Sequence, residues 1–157
     1  MSKKKQPKIQ FKIFNIKRVS HFENNFKDFG LNPKDIESGS VEINVKMGVN
    51  EKTNKIIFNV DVKFFIDKNK KRVDLFGVGT IHTFEVKNMN NVFLKDENNK
   101  FIFPDNFMFT MLNTVVGSTR GILVLSRTNL EYLNIYLPAI NIKKLLTSVE
   151  SIKTKDI

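Results

Sequence analysis

Two histidines, His21 and His82, are the side chains here best suited to proton transfer or metal binding near neutral pH. A zinc or acid–base site needs a second ligand-type residue at helix or strand spacing, and neither histidine has one. Glu85 follows His82 by three residues in an alternating stretch, so on a strand the two point to opposite faces. There is no cysteine, which excludes a disulfide scaffold, a thiolate zinc site and a Cys nucleophile. Gly77-Val78-Gly79-Thr80 resembles a phosphate-loop fragment, but it lacks the lysine and lies inside a strand pattern. Close backbone packing or a bend accounts for those glycines better. Ser118-Thr119-Arg120 offers hydroxyls without a base, on a helix instead of a sharp nucleophile turn. Arg120 reads as a structural guanidinium bonded to backbone or to a carboxylate. The residues therefore assign no catalytic centre, no metal and no cofactor.

Binding chemistry is more legible. Ser20 to Gly39 has no steady period, yet it carries Phe22, Phe26, Phe29 and Leu31 and is punctuated by Gly30 and Pro33. A connection that long inside a small domain is usually functional. Aromatic surfaces that repack around varied partners suit promiscuous peptide binding. The same side chains could equally cover a sheet edge as core.

The elements that must position these groups follow from periodicity. Ile9 to Val19 reads as a first strand, with a parity change near Ile13 that marks a bulge. Val41, Ile43, Val45, Met47 and Val49 alternate with polar residues as a half-buried strand. Ile56 to Ile66 and Arg72 to Lys87 give two more, and short polar turns join the three into an antiparallel meander. Pro104 and Asp105 open a helix that runs to about Leu125. Met108, Met111, Leu112, Val115, Val116, Thr119, Ile122 and Leu123 form its core-facing stripe. Its other face is small: Thr110, Thr114, Gly117, Ser118 and Gly121. A glycine inside a helix costs about 1 kcal/mol relative to alanine, so two of them point to close approach of another backbone. In a domain this small a second subunit is the expected partner. Asn141 N-caps a last short helix, Ile142 to about Val149.

With 157 residues, the chain fits one domain of residues 9–146 between a basic arm, 1–8, and a polar tail, 147–157. Hydrophobic residues make up 41%, with 15 Phe, 2 Tyr and no Trp, a globular composition. The N-terminal lysines have no apolar run behind them, and Asp105, Asn106, Asn113 and Arg120 interrupt the most apolar stretch. The expectation is therefore a cytoplasmic protein without secretory signal or membrane insertion. The net charge of +10 raises nucleic acid as a partner, but Lys outnumbers Arg by 22 to 4 and most lysines are scattered. Solvated lysines fit that pattern better than a nucleic-acid footprint, for which arginine forks are favoured.

The order of elements and several short motifs resemble the SecB-type protein-export chaperones. Phe11-Lys12-Ile13 runs into Val19-Ser20-His21-Phe22-Glu23, similar to that family's first strand and its exit. His82-Thr83-Phe84-Glu85-Val86 is similar to the end of its fourth strand, and Ser118-Thr119-Arg120-Gly121 resembles the Ser-Arg-Gly of its long helix. Leu137-Pro138-Ala139-Ile140-Asn141-Ile142 resembles the segment that opens its last helix. The resemblance implies an α+β fold of four antiparallel strands, one long helix and a short C-terminal helix. It implies a homotetramer, a dimer of dimers with the long helices between two sheets. It also implies an ATP-independent holdase that binds unfolded, extended polypeptides in apolar grooves, keeping precursors export-competent or stabilising one client such as an antitoxin. On this chain the groove borders would be Phe22, Phe26, Phe29 and Leu31 on one side and Leu145, Leu146 and Val149 on the other, over a floor of Val41, Ile43 and Val45. The small helix face, Thr110, Thr114, Gly117, Ser118 and Gly121, would be the subunit interface. Members that dock the SecA motor have acidic outer sheet faces, whereas here Lys46 and Lys63 accompany Glu42 and Asp61, so SecA is a doubtful partner. A basic β-rich nucleic-acid-binding domain is the main alternative. An acyl-binding enzyme with a long helix on a sheet is a third, but Asp105 at the helix start supplies no helix carboxylate for it.

Overall fold

Alternating apolar residues leave each strand one face to bury, and a computed structural model, which describes residues 8–151, shows how that is done. Four long strands, β1 (Phe11–Glu23), β2 (Ser40–Asn50), β3 (Lys55–Lys68) and β4 (Lys71–Val86), form an antiparallel sheet in the order β1-β4-β3-β2. Between β1 and β2 lies α1 (Pro33–Glu37); after β4 come α2 (Met89–Val92) and a small ribbon of β5 (Leu94–Lys95) and β6 (Phe101–Ile102). The long helix α3 (Asp105–Ser126) and the short α4 (Ile142–Ser148) follow. A two-residue strand, β7 (Glu150–Ser151), pairs parallel to Lys46 and Met47 at the outer edge of β2. The class is α+β, with a four-stranded antiparallel sheet, one long helix and a short C-terminal helix.

Cross-strand register places Val41, Val45 and Val49 on the same face as Phe64, Val60 and Ile56, and these beside Phe76, Thr80 and Phe84. The helix α3 covers that face with Met111, Leu112, Val115, Thr119 and Leu123, all buried. Near the start of α3 the rings of Phe93, Phe103 and Phe107 meet, and Phe107 touches Phe11 edge-on at 5.5 Å. Truncating a fully buried Met111 or Leu112 to Ala removes contacts typically worth about 2–5 kcal/mol.

Several expectations change. Ser20 to Gly39 is not one irregular connection: β1 continues to Glu23, a 3-10 turn spans Phe26–Phe29, and Asn32 caps α1 reciprocally with Asp35. The bulge near Ile13 is present, and a second register shift lies between Arg18 and Ser20. Residues 147–151 are not a frayed tail but the end of α4 and β7, while 152–157 and 1–7 lie outside the described residues. The most apolar stretch is not disqualified as a membrane span by its polar residues: Asp105–Ser126 reaches mean hydropathy 1.3 and is long enough by length and composition alone. Asp105 and Arg120 are its two charged residues, and in the structure it is the cover of the sheet.

One polar cluster sits within this core. His82 is fully buried, with Nε2 2.9 Å from the Thr80 hydroxyl and 3.0 Å from that of Thr119, and Nδ1 3.2 Å from Ser118 Oγ. Burial pushes its pKa down from the ordinary 6.5 to about 4. Between those values the unfolded chain takes up a proton that the native chain excludes. The contribution to stability is thus complete above pH 6.5, falls as pH drops and levels off below about pH 4. Denaturant titrations at pH 7.5 and pH 4 should show wild type losing about 3 kcal/mol more than His82→Gln across that interval. Parallel losses in the two proteins would rule out a buried neutral imidazole.

Candidate functional site

Between α1, the start of β2 and the segment after α3 lies a groove of about 520 Å³. Ile36 of α1, Val41 of β2 and Phe64 of β3 line one side, and Ile135, Tyr136 and Pro138 the other. Glu37 and Glu131 also line it, and none of its lining residues is Lys or Arg, in a chain of net charge +10. Tyr136, Leu133 and Leu130 are exposed on the 130–136 segment, and Leu130 is 79% exposed. Buried apolar residues need no partner, whereas a run of exposed ones marks a contact surface.

Each wall has a local cause. On the α1 side, Pro33 pre-sets the first turn and Asn32 Oδ1 accepts the N–H groups of Lys34 and Asp35. The Asp35 carboxylate accepts the Asn32 N–H at 2.8 Å and the Lys68 ammonium at 3.1 Å, which hold its pKa below the ordinary value. This fixes Ile36, itself 7% exposed, at the groove's edge.

The opposite wall has little regular structure beyond one 3-10 turn, Leu130–Tyr132, and is held by side chains. Arg127 is buried, and its Nη1 donates to the carbonyls of Tyr132 at 2.8 Å, Leu133 at 2.9 Å and Ile135. Its guanidinium carbon lies 5.2 Å from the centre of the Tyr136 ring. Arg120 donates from Nη2 to the Pro138 carbonyl at 3.1 Å, the backbone-bonded role expected of it. From the other side Glu23, the last residue of β1, accepts the Thr128 N–H and hydroxyl at 3.0 and 2.8 Å and the Asn129 N–H at 2.5 Å. Burial opposes ionisation of Glu23, but those Thr128 and Asn129 bonds outweigh it and keep the carboxyl below its ordinary pKa. Tyr132 packs under the wall, stacked on Phe76 at 5.4 Å, and its hydroxyl donates to the Asn24 carbonyl at 2.6 Å. Burial first, then the Glu23 charge, pushes the Tyr132 phenol up to about 12.

The residues expected as a groove are not gathered into one. Val41 lines the groove, but Ile43 and Val45 border a separate, more polar hollow with Lys46, Asp61 and Ser148. Phe26 and Leu31 are core, because the 3-10 turn folds them inward and Phe26 meets Tyr132 edge-on. Phe29 is 47% exposed beside the β3–β4 hairpin, in a hollow shared with Arg72 and Val73. Phe22 lies on the other face of the sheet: it pairs with Gly77, where a Cβ would come within 2.6 Å of its ring. The second bulge puts it there by reversing the parity of β1. Leu145 is core, and Leu146 and Val149 are half-buried against it. Ile36, Phe64, Ile135 and Tyr136, which line the groove, and Glu23 and Arg127, which support its wall, are not among the residues expected there; the Asn32-x-x-Asp35 capping spacing is the sequence signal from which α1, and hence Ile36, could be found.

The small face of α3 is open. Thr110, Gly117 and Gly121 are exposed and Thr114 and Ser118 half-buried, and nothing lies within 4 Å of a Cβ built on either glycine. Phe109, Val124 and Leu125 are exposed on the same helix. The outer sheet face carries Glu42, Lys46, Asp61 and Lys63 together, as their registers require. There Arg72 pairs with Glu42 and Asp74, and Lys63 with Asp74. Among the described residues no group of three or more His, Asp or Glu could hold a metal ion.

No family model matches this chain, and no curated protein matches it. Among solved structures it is similar to a protein of unknown function from Streptococcus agalactiae, at 13% identity over 85% of this chain and 100% of that one. The TM-score of 0.27 is too low to carry an argument from that likeness.

Proposed function

We propose that this protein is an ATP-independent holdase, which captures extended apolar segments of unfolded polypeptides and releases them without chemical turnover. The observation that carries this reading is the groove of Ile36, Val41, Phe64, Ile135, Tyr136 and Pro138, with Leu130 and Leu133 exposed on the same wall segment. Burial of client side chains there is driven by roughly 25 cal/mol per Å² of apolar area. The resemblance of the short motifs to SecB-type chaperones supports the same reading. The purified protein should delay aggregation of a chemically denatured, reduced client at sub-stoichiometric ratio, without nucleotide and with little dependence on salt. Failure with several unrelated clients would sink the idea. Capture of nucleic acid that collapses as salt rises would favour the alternative instead.

The working unit is a homotetramer, joined through the open small face of α3. That face has room for a neighbouring helix at Gly117 and Gly121, and the exposed Phe109, Val124 and Leu125 beside it call for cover. In one subunit a Cβ at Gly117 meets nothing within 4 Å, and leucine improves helix propensity, so far-UV circular dichroism of Gly117→Leu should hold. Sedimentation should nonetheless show smaller species, since overpacking a fitted contact costs about 1–3 kcal/mol. A variant that sediments like wild type would place the interface elsewhere.

The outer sheet face mixes both signs of charge, and two of its carboxylates, Glu42 and Asp74, are engaged by Arg72 and Lys63. Docking of a basic zinc-binding tail, the SecA mode, is therefore disfavoured, and a dedicated client such as an antitoxin fits better. Titration with that tail should give weak or no binding; tight, zinc-dependent binding would restore the export role.

A further inference from the structure

The wall formed by residues 130–138 owes its shape to an arrangement that its own backbone does not supply. Its carbonyls at Tyr132, Leu133 and Ile135 converge on one buried guanidinium, Arg127. The N–H groups of Thr128 and Asn129, at its base, converge on one carboxylate, Glu23. The two groups come from different elements: Arg127 follows directly on α3, whereas Glu23 ends β1, 105 residues away from Thr128 along the chain. A loop fixed at both its donors and its acceptors has few alternative conformations, and a groove built on it is organised before anything binds.

We infer that Arg127 and Glu23 form a clamp that presets the groove wall, making them positioning residues for polypeptide capture. This rests on the holdase reading of the groove and goes beyond it in assigning the groove's affinity to two residues that do not line it. Arg127 acts through the carbonyls and through the ring of Tyr136, which lies over its guanidinium. Lysine at 127 keeps the charge but replaces the planar fork with a point donor on a flexible stem, so it cannot reproduce the same set of bonds. Without the clamp the wall samples several shapes, and apparent affinity falls by the fraction of time that it is correctly formed.

Three variants separate the possibilities, read by binding of fluorescently labelled, reduced and carboxymethylated lactalbumin and by amide hydrogen exchange. Arg127→Lys should weaken binding by about tenfold or more and speed exchange at residues 130–138, leaving the sheet and α3 as protected as in wild type. Glu23→Gln should do the same to a smaller degree, centred on 128–132, and it answers the question if Arg127→Lys does not fold. Saturating client should restore protection to the wall in both, a response that a merely destabilised core would not confine to this segment. Val41→Ser alters the groove on its far side, away from the clamp. It should weaken binding while the wall keeps wild-type exchange. If Val41→Ser binds as wild type does, the groove itself is not the capture site. If Val41→Ser weakens binding but Arg127→Lys and Glu23→Gln keep wild-type affinity and exchange, the clamp inference alone is overturned.

Discussion

A single sheet with one apolar face is not stable in water, and α3 is the element that covers it. Val60, Val62 and Phe64 of β3 and Phe76, Val78 and Phe84 of β4 have their counterpart in Met111, Leu112, Val115 and Leu123, and all are buried. The seam is not purely apolar, because His82, Thr80, Thr119 and Ser118 meet across it. Apolar packing is indifferent to a small sliding of the helix, whereas hydrogen bonds are not, and a buried polar group left unmatched costs about 1–3 kcal/mol. The polar cluster thereby fixes the register of helix on sheet, and the position of everything after Ser126 follows from that register.

Much of this was readable from residue order. The period of two in Val41–Val49 and Ile56–Ile66 gave β2 and β3, and the 3.6-residue period after Pro104 gave α3 to within a residue of its end. Asn141 caps α4 as its side chain foretold, accepting the Lys144 N–H at 3.1 Å. The opposite faces of His82 and Glu85 likewise followed from strand geometry: His82 is buried, and Glu85 meets Lys12 on the outer side.

The groove was less legible, for two physical reasons. First, β1 carries apolar residues on both faces and two register shifts, so its parity cannot be followed past Val19 without knowing where the bulges fall. Phe22 and Phe26, four residues apart, end on opposite sides of the sheet for that reason. Second, the wall at 130–138 is shaped by long-range side-chain bonds to Glu23 and Arg127. Such bonds leave no period and no local signature, since any Arg after a helix and any Glu ending a strand looks alike in sequence.

Charge gives the clearest case of residue type carrying more than residue sign. Lysine accounts for 22 of the 26 basic residues, and a flexible ammonium on the surface adds solubility at little structural consequence. The four arginines are used otherwise. Arg18 donates to Ser126 at the end of α3, Arg120 to the carbonyl of Pro138, and Arg127 to the wall carbonyls. Arg72 alone pairs with carboxylates, Glu42 and Asp74, on the outer sheet face. Three of the four therefore tie the end of α3 and the segment after it to the rest of the chain, where a rigid fork of donors can satisfy backbone carbonyls or a hydroxyl. A protein selected to read phosphates would present such forks to solvent; here all four are engaged within the chain. The surplus of positive charge is then a property of the lysines, and the arginines belong to the architecture of the groove and its supporting sheet.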